Sequence, residues 1–164
     1  MAHAPNVGES FRGVDGRIGF LLFQAQQAFG TAMEKVLRDA GGLTRSQFGA
    51  LSVIVRRPGL SAADLARAML VTPQAANLIV SGLEADGLVK KRPSAVHGRI
   101  LELFATPRGV QHVDAAYPLV TALEDRIAEQ LSEQKLTEVK RWLVDVAVAM
   151  TDVTTSERPR VLPS

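Results

Sequence analysis

Two helix starts and a basic hairpin fall inside the stretch from Ser61 to Arg99, and together they leave few folds open. Ser61 followed by Asp64 supplies side chains for the orphan amides of a helix start, and Leu65, Ala66 and Met69 then form one apolar face. Thr72 and Pro73 make a second start: a capping hydroxyl, then a proline at the first helical position, where a missing N–H costs nothing. Ala76, Ile79, Val80 and Leu83 recur at helical spacing and are expected inside, which turns Gln74, Ala75, Asn77, Leu78 and Ser81 outward. Leu88 to Arg92 and Arg99 to Phe104 read as strands around a loop, Pro93 to Gly98, built of turn formers. A short helix, a tight connection, a second helix with small polar residues outside its start and a hairpin behind it predict a winged helix-turn-helix. That arrangement can lay its second helix in a DNA major groove.

The flanks predict helices that need a partner. From about Asp15 to Ala40 one long helix carries Ile18, Leu22, Ala25, Phe29, Met33, Val36 and Leu37 on one face and stops at Gly41 and Gly42. Phe20, Leu21 and Phe23 widen the apolar stripe at its start beyond one core face, as a subunit contact requires. Thr44 and Gln47 spell a capping box, with Leu43 and Phe48 as its hydrophobic staple, for a helix running to about Val55. Arg56 and Arg57 follow in a turn, either as phosphate contacts or as cations complementing the helix end. Thr106 and Pro107 open a helix to about Gln130, expected to bend or break at Pro118. Ser132 caps a last helix whose Leu136, Val139, Leu143, Val146 and Met150 step by three and four like a two-helix seam, with Trp142 beside it. The expected division is a flexible arm at 1–13, an N-terminal dimerisation helix at 14–42, a DNA-binding lobe at 43–105, C-terminal dimerisation helices at 106–151 and a flexible tail at 152–164. The fold class is thus mainly α with a small two-stranded β wing, and 164 residues suggest one domain.

Net charge is only +2, but it is unevenly spread. Arg45 to Arg99 holds eight basic residues against three acidic, a net of +5, while Ile100 to Ser164 has a net of −3. A basic middle between neutral and acidic flanks suits a middle that meets phosphate, although chance clustering on a solvated surface gives the same count. No run of 18 apolar residues and no basic-then-apolar leader is present, so neither a membrane span nor a secretory signal is expected, and the expected location is cytoplasmic.

The order LTRSQFGAL, LSAADLARAML, VTPQAANLIVSGLEADGLVKKR and HGRILELFATPRG resembles the MarR/SlyA family of bacterial transcription regulators, without gaps from Leu43 to Gly109. The resemblance implies a homodimer bound to double-stranded DNA, often as a repressor on a palindromic operator and often released by a small aromatic or phenolic effector. Some members sense peroxides through cysteine; this chain has none.

Base reading falls to Gln74 and Asn77, because a planar amide bonds adenine N6 and N7 together in the major groove. Thr72, Ala75 and Ser81 share that face, Thr72 and Ala75 suited to a thymine methyl or a phosphate. Phosphate and wing contacts are assigned to Arg45, Ser61, Lys90, Lys91, Arg92, His97 and Arg99. Arg99 matches the family's wing arginine, which enters the minor groove, but His97 stands where the family usually has the aspartate that holds it. Either the aim of Arg99 changes or His97 itself approaches phosphate as a cation. A second departure lies at Leu78 and Gly82, where the family commonly carries arginine or lysine; no Lys or Arg occurs from Val71 to Val89. The dimer interface is assigned to Phe20, Leu21, Leu136, Val139, Trp142, Leu143, Val146 and Met150. Phe20, Gln24, Phe48 and Leu51 are candidates for lining an effector pocket, with core packing as the alternative.

No catalytic residue, cofactor or metal is expected. There is no glycine-rich phosphate loop and no nucleophile elbow, and His3, His97 and His112 lack ligand spacing. The competing reading is a winged-helix protein-interaction module without specific DNA binding. Such a module would expose a contiguous apolar patch, whereas Leu78 is the one large apolar residue on the outer face from Thr72 to Ser81.

Overall fold

The computed structural model describes residues 16–94, 98 and 100–155, and within them the helix signals become helices in the expected order. The helices are α1 (Ile18–Asp39), α2 (Arg45–Arg56), α3 (Ala62–Met69), α4 (Pro73–Ala85), α5 (Pro107–Ala128) and α6 (Glu133–Thr155). Strands β1 (Leu60–Ser61), β2 (Val89–Pro93) and β3 (Leu101–Ala105) form one antiparallel sheet in the order β1-β3-β2. The expected arm at 1–13, the tail beyond 155, and His97 and Arg99 of the wing lie outside the described residues. The chain divides into two compact units, one up to Leu123 and one from Glu124 onward.

The first unit has a core to which each of its helices contributes. Leu37 of α1, Leu51 and Ile54 of α2, Leu65 of α3, Val80 and Leu83 of α4, and Leu103 of β3 are sealed from solvent, and α5 adds Val113, Ala116 and Val120. Each large apolar side chain removed from water this way stabilises the fold by about 1.5–3 kcal/mol. The α2 capping box forms as expected: Thr44 Oγ1 accepts from the Gln47 amide at 3.2 Å, and Gln47 Oε1 accepts from the Thr44 amide at 3.0 Å. Leu43 and Phe48 beneath it are both buried.

The two helices of the motif end differently. α4 closes on Gly87 at φ +70°, with the Leu88 amide donating to Leu83 O at 2.8 Å and the Gly87 amide to Glu84 O at 3.0 Å. α3 closes on Leu70, which takes the same left-handed conformation at φ 53° with a Cβ attached, at a cost of about 1–2 kcal/mol.

Three expectations are corrected. The hairpin is not alone: β1 adds a third strand, with Leu60 opposite Leu103 and Ser61 opposite Glu102. Two residues are too few to show alternation, and Ser61 already reads as a helix cap. Of the bend or break expected at Pro118, the break does not occur: α5 continues to Ala128, near its expected end. The proline and Asp114, whose carbonyl loses its helical donor, are both exposed, so water can satisfy that oxygen, while Val113, Ala116 and Val120 hold the helix on the core. Finally, α6 runs through Asp152 to Thr155, because no glycine or proline stops it there.

The start of α5 is fastened to the joint between α4 and β2. Thr106 Oγ1 accepts from the Gly109 amide at 3.1 Å and donates to Gly87 O at 2.8 Å, while the Thr106 amide donates to Leu88 O at 2.9 Å. Arg108 Nη1 donates to Asp86 O at 3.2 Å. Gly109 lies so close that a Cβ there would come within 2.2 Å of Leu88 O. Only a residue without a side chain fits at that contact.

Candidate nucleic-acid interface

α3 is fixed before α4 can be presented. Ser61 Oγ donates to Asp64 Oδ2 at 2.6 Å and accepts from the Asp64 amide at 3.1 Å, and the Ser61 amide donates to Asp64 Oδ2 at 3.2 Å. Arg67 pairs with Asp64 from the following turn. These donors, the Ser61 hydroxyl foremost, hold the Asp64 carboxyl below its ordinary pKa.

The tight turn then delivers α4, whose first turn is capped by Thr72 Oγ1 accepting from the Ala75 amide at 3.2 Å. Ala76, Val80 and Leu83 face the core. Gln74, Asn77 and Ser81 are exposed, Ala75 is half-buried beside them, and Leu78 is 76% exposed. Of the five residues expected to read bases, Gln74, Ala75, Asn77 and Ser81 lie away from the core side of α4, while Thr72 is exposed at the cap with its side-chain oxygen already engaged. α4 carries Glu84 and no Lys or Arg, so its outer face is neutral to acidic. Amides and hydroxyls in such a setting can discriminate between base edges but add little attraction to phosphate.

The cations are scattered by comparison. Lys90 and Arg92 are exposed on β2, and the Arg92 guanidinium lies 5.3 Å above the Phe104 ring. Lys91, on the opposite side of the strand, donates from Nζ to Glu84 Oε2 at 2.7 Å and so ties the wing to the last turn of α4. Arg45 is half-buried, its guanidinium laid across Gly30 of α1. Ser61 is engaged with Asp64 as described. Of the seven expected phosphate and wing residues, Lys90 and Arg92 stand outward together, while Arg45, Ser61 and Lys91 have structural partners. His97 and Arg99 lie outside the described residues.

Phe48 and Leu51 are core residues. Phe20 borders a shallow depression at the start of α1 with Ile18 and Phe23. Gln24 is half-buried with its Oε1 enclosed and without a hydrogen-bond partner, as is the Ser52 hydroxyl. Sequence reasoning missed a different cleft, where Val55 and Arg56 at the end of α2 meet Val113, Asp114, Tyr117 and Pro118 of α5 around about 310 Å³. Arg56 Nη2 donates to Tyr117 Oη at 2.8 Å, and the guanidinium lies 5.5 Å from the ring centroid. Those two residues are 61 positions apart, and no local pattern links them.

The expected interface residues of α6 are uncovered. Val139, Trp142, Leu143 and Met150 are exposed, Leu136 and Val146 half-buried, and none of the described side chains of this helix is buried. On α1, Leu21 is half-buried, and Ile18, Phe20 and Phe23 are exposed. Among the described residues no helix is long and apolar enough to cross a membrane.

A MarR family model matches residues 41–100. The HTH-type transcriptional repressor Rv2887 of Mycobacterium tuberculosis is 34% identical over 129 residues, covering 79% of this chain and 92% of the relative. The crystal structure of Mycobacterium tuberculosis MarR family protein Rv2887 in complex with salicylic acid superposes with a TM-score of 0.62 at 33% identity, over 81% of this chain and 98% of that one. The S. aureus MepR–DNA complex superposes with a TM-score of 0.74 at 20% identity, over 81% and 98% of the two chains, a likeness of fold.

Proposed function

We propose a function from one premise: this chain belongs to the MarR family. It is a MarR-family transcriptional regulator, and we read it as a homodimeric repressor whose two α4 helices enter successive major grooves of an inverted-repeat operator, about one helical turn apart. The observation that carries this reading is the outer face of α4, where Gln74, Asn77 and Ser81 stand exposed and uncharged on a helix fixed at both ends. Lys90 and Arg92 supply the phosphate attraction that α4 lacks. The exposed apolar residues of α1 and those of α6 are two parts of the homodimer interface. Rv2887, the relative with a third of its residues in common, is named a repressor, and MepR was crystallised on DNA.

The effector is an aromatic carboxylic acid, the class represented by the salicylic acid bound to that relative. We place it in the cleft of Arg56 and Tyr117 rather than at the packed Phe48 and Leu51. A carboxylate there takes the guanidinium in a two-toothed pair, and the ring rests on Val55, Val113 and Pro118. Occupancy replaces the hydrogen bond from Arg56 to Tyr117 and shifts α5, whose first turn is fastened to the end of α4 through Thr106, Arg108 and Gly109. Such a ligand releases DNA only by preferring the arrangement that does not fit the operator, a coupling of typically about 1–3 kcal/mol.

The test is selection of duplexes from a random pool, then titration of the winner and a scrambled control at two salt concentrations. An inverted repeat bound at least about a thousandfold more tightly than the control is expected. No enrichment, with weak binding that vanishes as salt rises, would leave only generic phosphate attraction and favour the interaction-module reading. Sodium salicylate added to the operator complex is expected to release wild-type protein. With Arg56→Gln, operator affinity is retained and release needs at least about tenfold more salicylate. Unchanged release would move the effector away from this cleft.

A further inference from the structure

Leu78 is the most exposed of the large apolar residues described, and it stands in the middle of the face expected to read bases. On a helix its surface neighbours are three and four positions away: Gln74, Ala75, Ser81 and Gly82, none of them charged. The α4 cap and the closing turn at Gly87 hold this residue on a fixed element. An exposed leucine has no hydrogen bond to offer and gains only by losing contact with water.

The major groove offers such a side chain little. Guanine N7 and O6, adenine N7 and N6 and cytosine N4 all need a hydrogen-bonding partner, and a leucine pressed against them leaves them unpaired. The apolar feature of the groove floor is the methyl group on pyrimidine C5, present in thymine and in 5-methylcytosine. We infer that Leu78 is a specificity-determining residue that selects a C5-methylated pyrimidine at one base pair of each half-site. Gln74 and Asn77 flank it with hydrogen bonds to neighbouring bases. This inference rests on the DNA-binding reading above and adds a chemical identity to one position of the operator.

The experiment uses the full-length protein and the operator recovered from the pool. Each thymine is replaced in turn by deoxyuridine, which keeps every hydrogen bond and loses only the methyl. At one symmetric pair of positions affinity is expected to fall about fourfold per half-site and about fifteenfold when both are changed, the effect of one buried methyl each. A cytosine placed at that position binds more weakly than its 5-methylated form by a similar factor. In Leu78→Ala, whose exposed site leaves the fold intact, the preference for thymine over deoxyuridine falls to about one, while the preference at positions read by Asn77 persists.

Equal binding of every deoxyuridine duplex by the wild-type protein, with the operator still preferred over the scrambled control, overturns the inference and leaves the regulator reading standing. A thymine preference that survives in Leu78→Ala also overturns it, because another side chain then meets the methyl. A pool that yields no preferred sequence overturns both.

Discussion

α4 and α6 both carry apolar residues at helical spacing, yet among the described side chains only α4 has buried ones. α4 has a side-chain cap at Thr72, a closed C-terminus at Gly87, and Ala76, Val80 and Leu83 turned into a core shared with α2 and α3. α6 has a cap at Ser132 and a longer stripe, but no buried residue among its described side chains. Local signals therefore suffice to specify the first helix, while the second is the helix we propose as part of a homodimer interface. A reading surface for DNA needs the former, since its side chains must be held to a fraction of an ångström. A dimer contact can wait for its partner.

The strongest way to break this contrast is Leu143→Asp in α6. It is expected to yield a monomer by sedimentation and to weaken operator binding by about 10²- to 10⁴-fold through loss of the second half-site, with the fold of the first unit unchanged. Retention of the dimer would show that the stripe is not its interface. Gly109→Ala attacks the other side of the comparison. Its Cβ would collide with Leu88 O, and about 1–3 kcal/mol of stability should disappear in urea titrations. Because the same contact fastens α5 to α4, operator affinity falls with it.

A smaller effect sharpens the account of the α3 cap. The Asp64 carboxyl is held below its ordinary pKa chiefly by the Ser61 hydroxyl, so the cap contributes fully above the usual aspartate range and is lost as the pH falls through the folded-state pKa. Melting curves from neutral pH to below about pH 4 should therefore bring wild type and Asp64→Asn together at the acid end. A gap between them that stays constant with pH would contradict this role. Leu70→Gly is expected to have the smallest effect and the opposite sign, a gain of up to about 1 kcal/mol, since glycine takes the left-handed turn without the Cβ penalty. Calorimetry showing a loss would mean that the exposed leucine packs on something that offsets its strain.

What was legible in the chain follows the same division. Ser61 with Asp64, Thr44 with Gln47, and Thr72 with Pro73 are separated by at most three residues, and each fixed a helix start where the structure has it. The spacing of Ala76, Val80 and Leu83 marked which side of α4 is buried. The two-residue β1 escaped notice because it is made by its partner: the Gly59 amide donates to Leu103 O at 2.8 Å, and Leu60 and Ser61 then pair with β3. The engagement of Lys91 with Glu84 and of Arg45 with Gly30 also depends on elements meeting in space, so a count of basic residues overstates the cations that face outward. The Arg56–Tyr117 contact was out of reach for the same reason, as was the continuity of α5 through Pro118, which rests on the core beneath that helix.

The most direct test of the central claim, that α4 reads bases while the wing attracts phosphate, is one titration series. Wild type, Asn77→Ala and Lys90→Ala are measured against the selected operator and a scrambled duplex across several salt concentrations. Asn77→Ala is expected to lose about 1–3 kcal/mol on the operator and little on the control, with the salt slope unchanged, whereas Lys90→Ala weakens both duplexes alike and reduces the slope by about one. Equal losses on both duplexes for both variants would contradict the assignment of reading to α4.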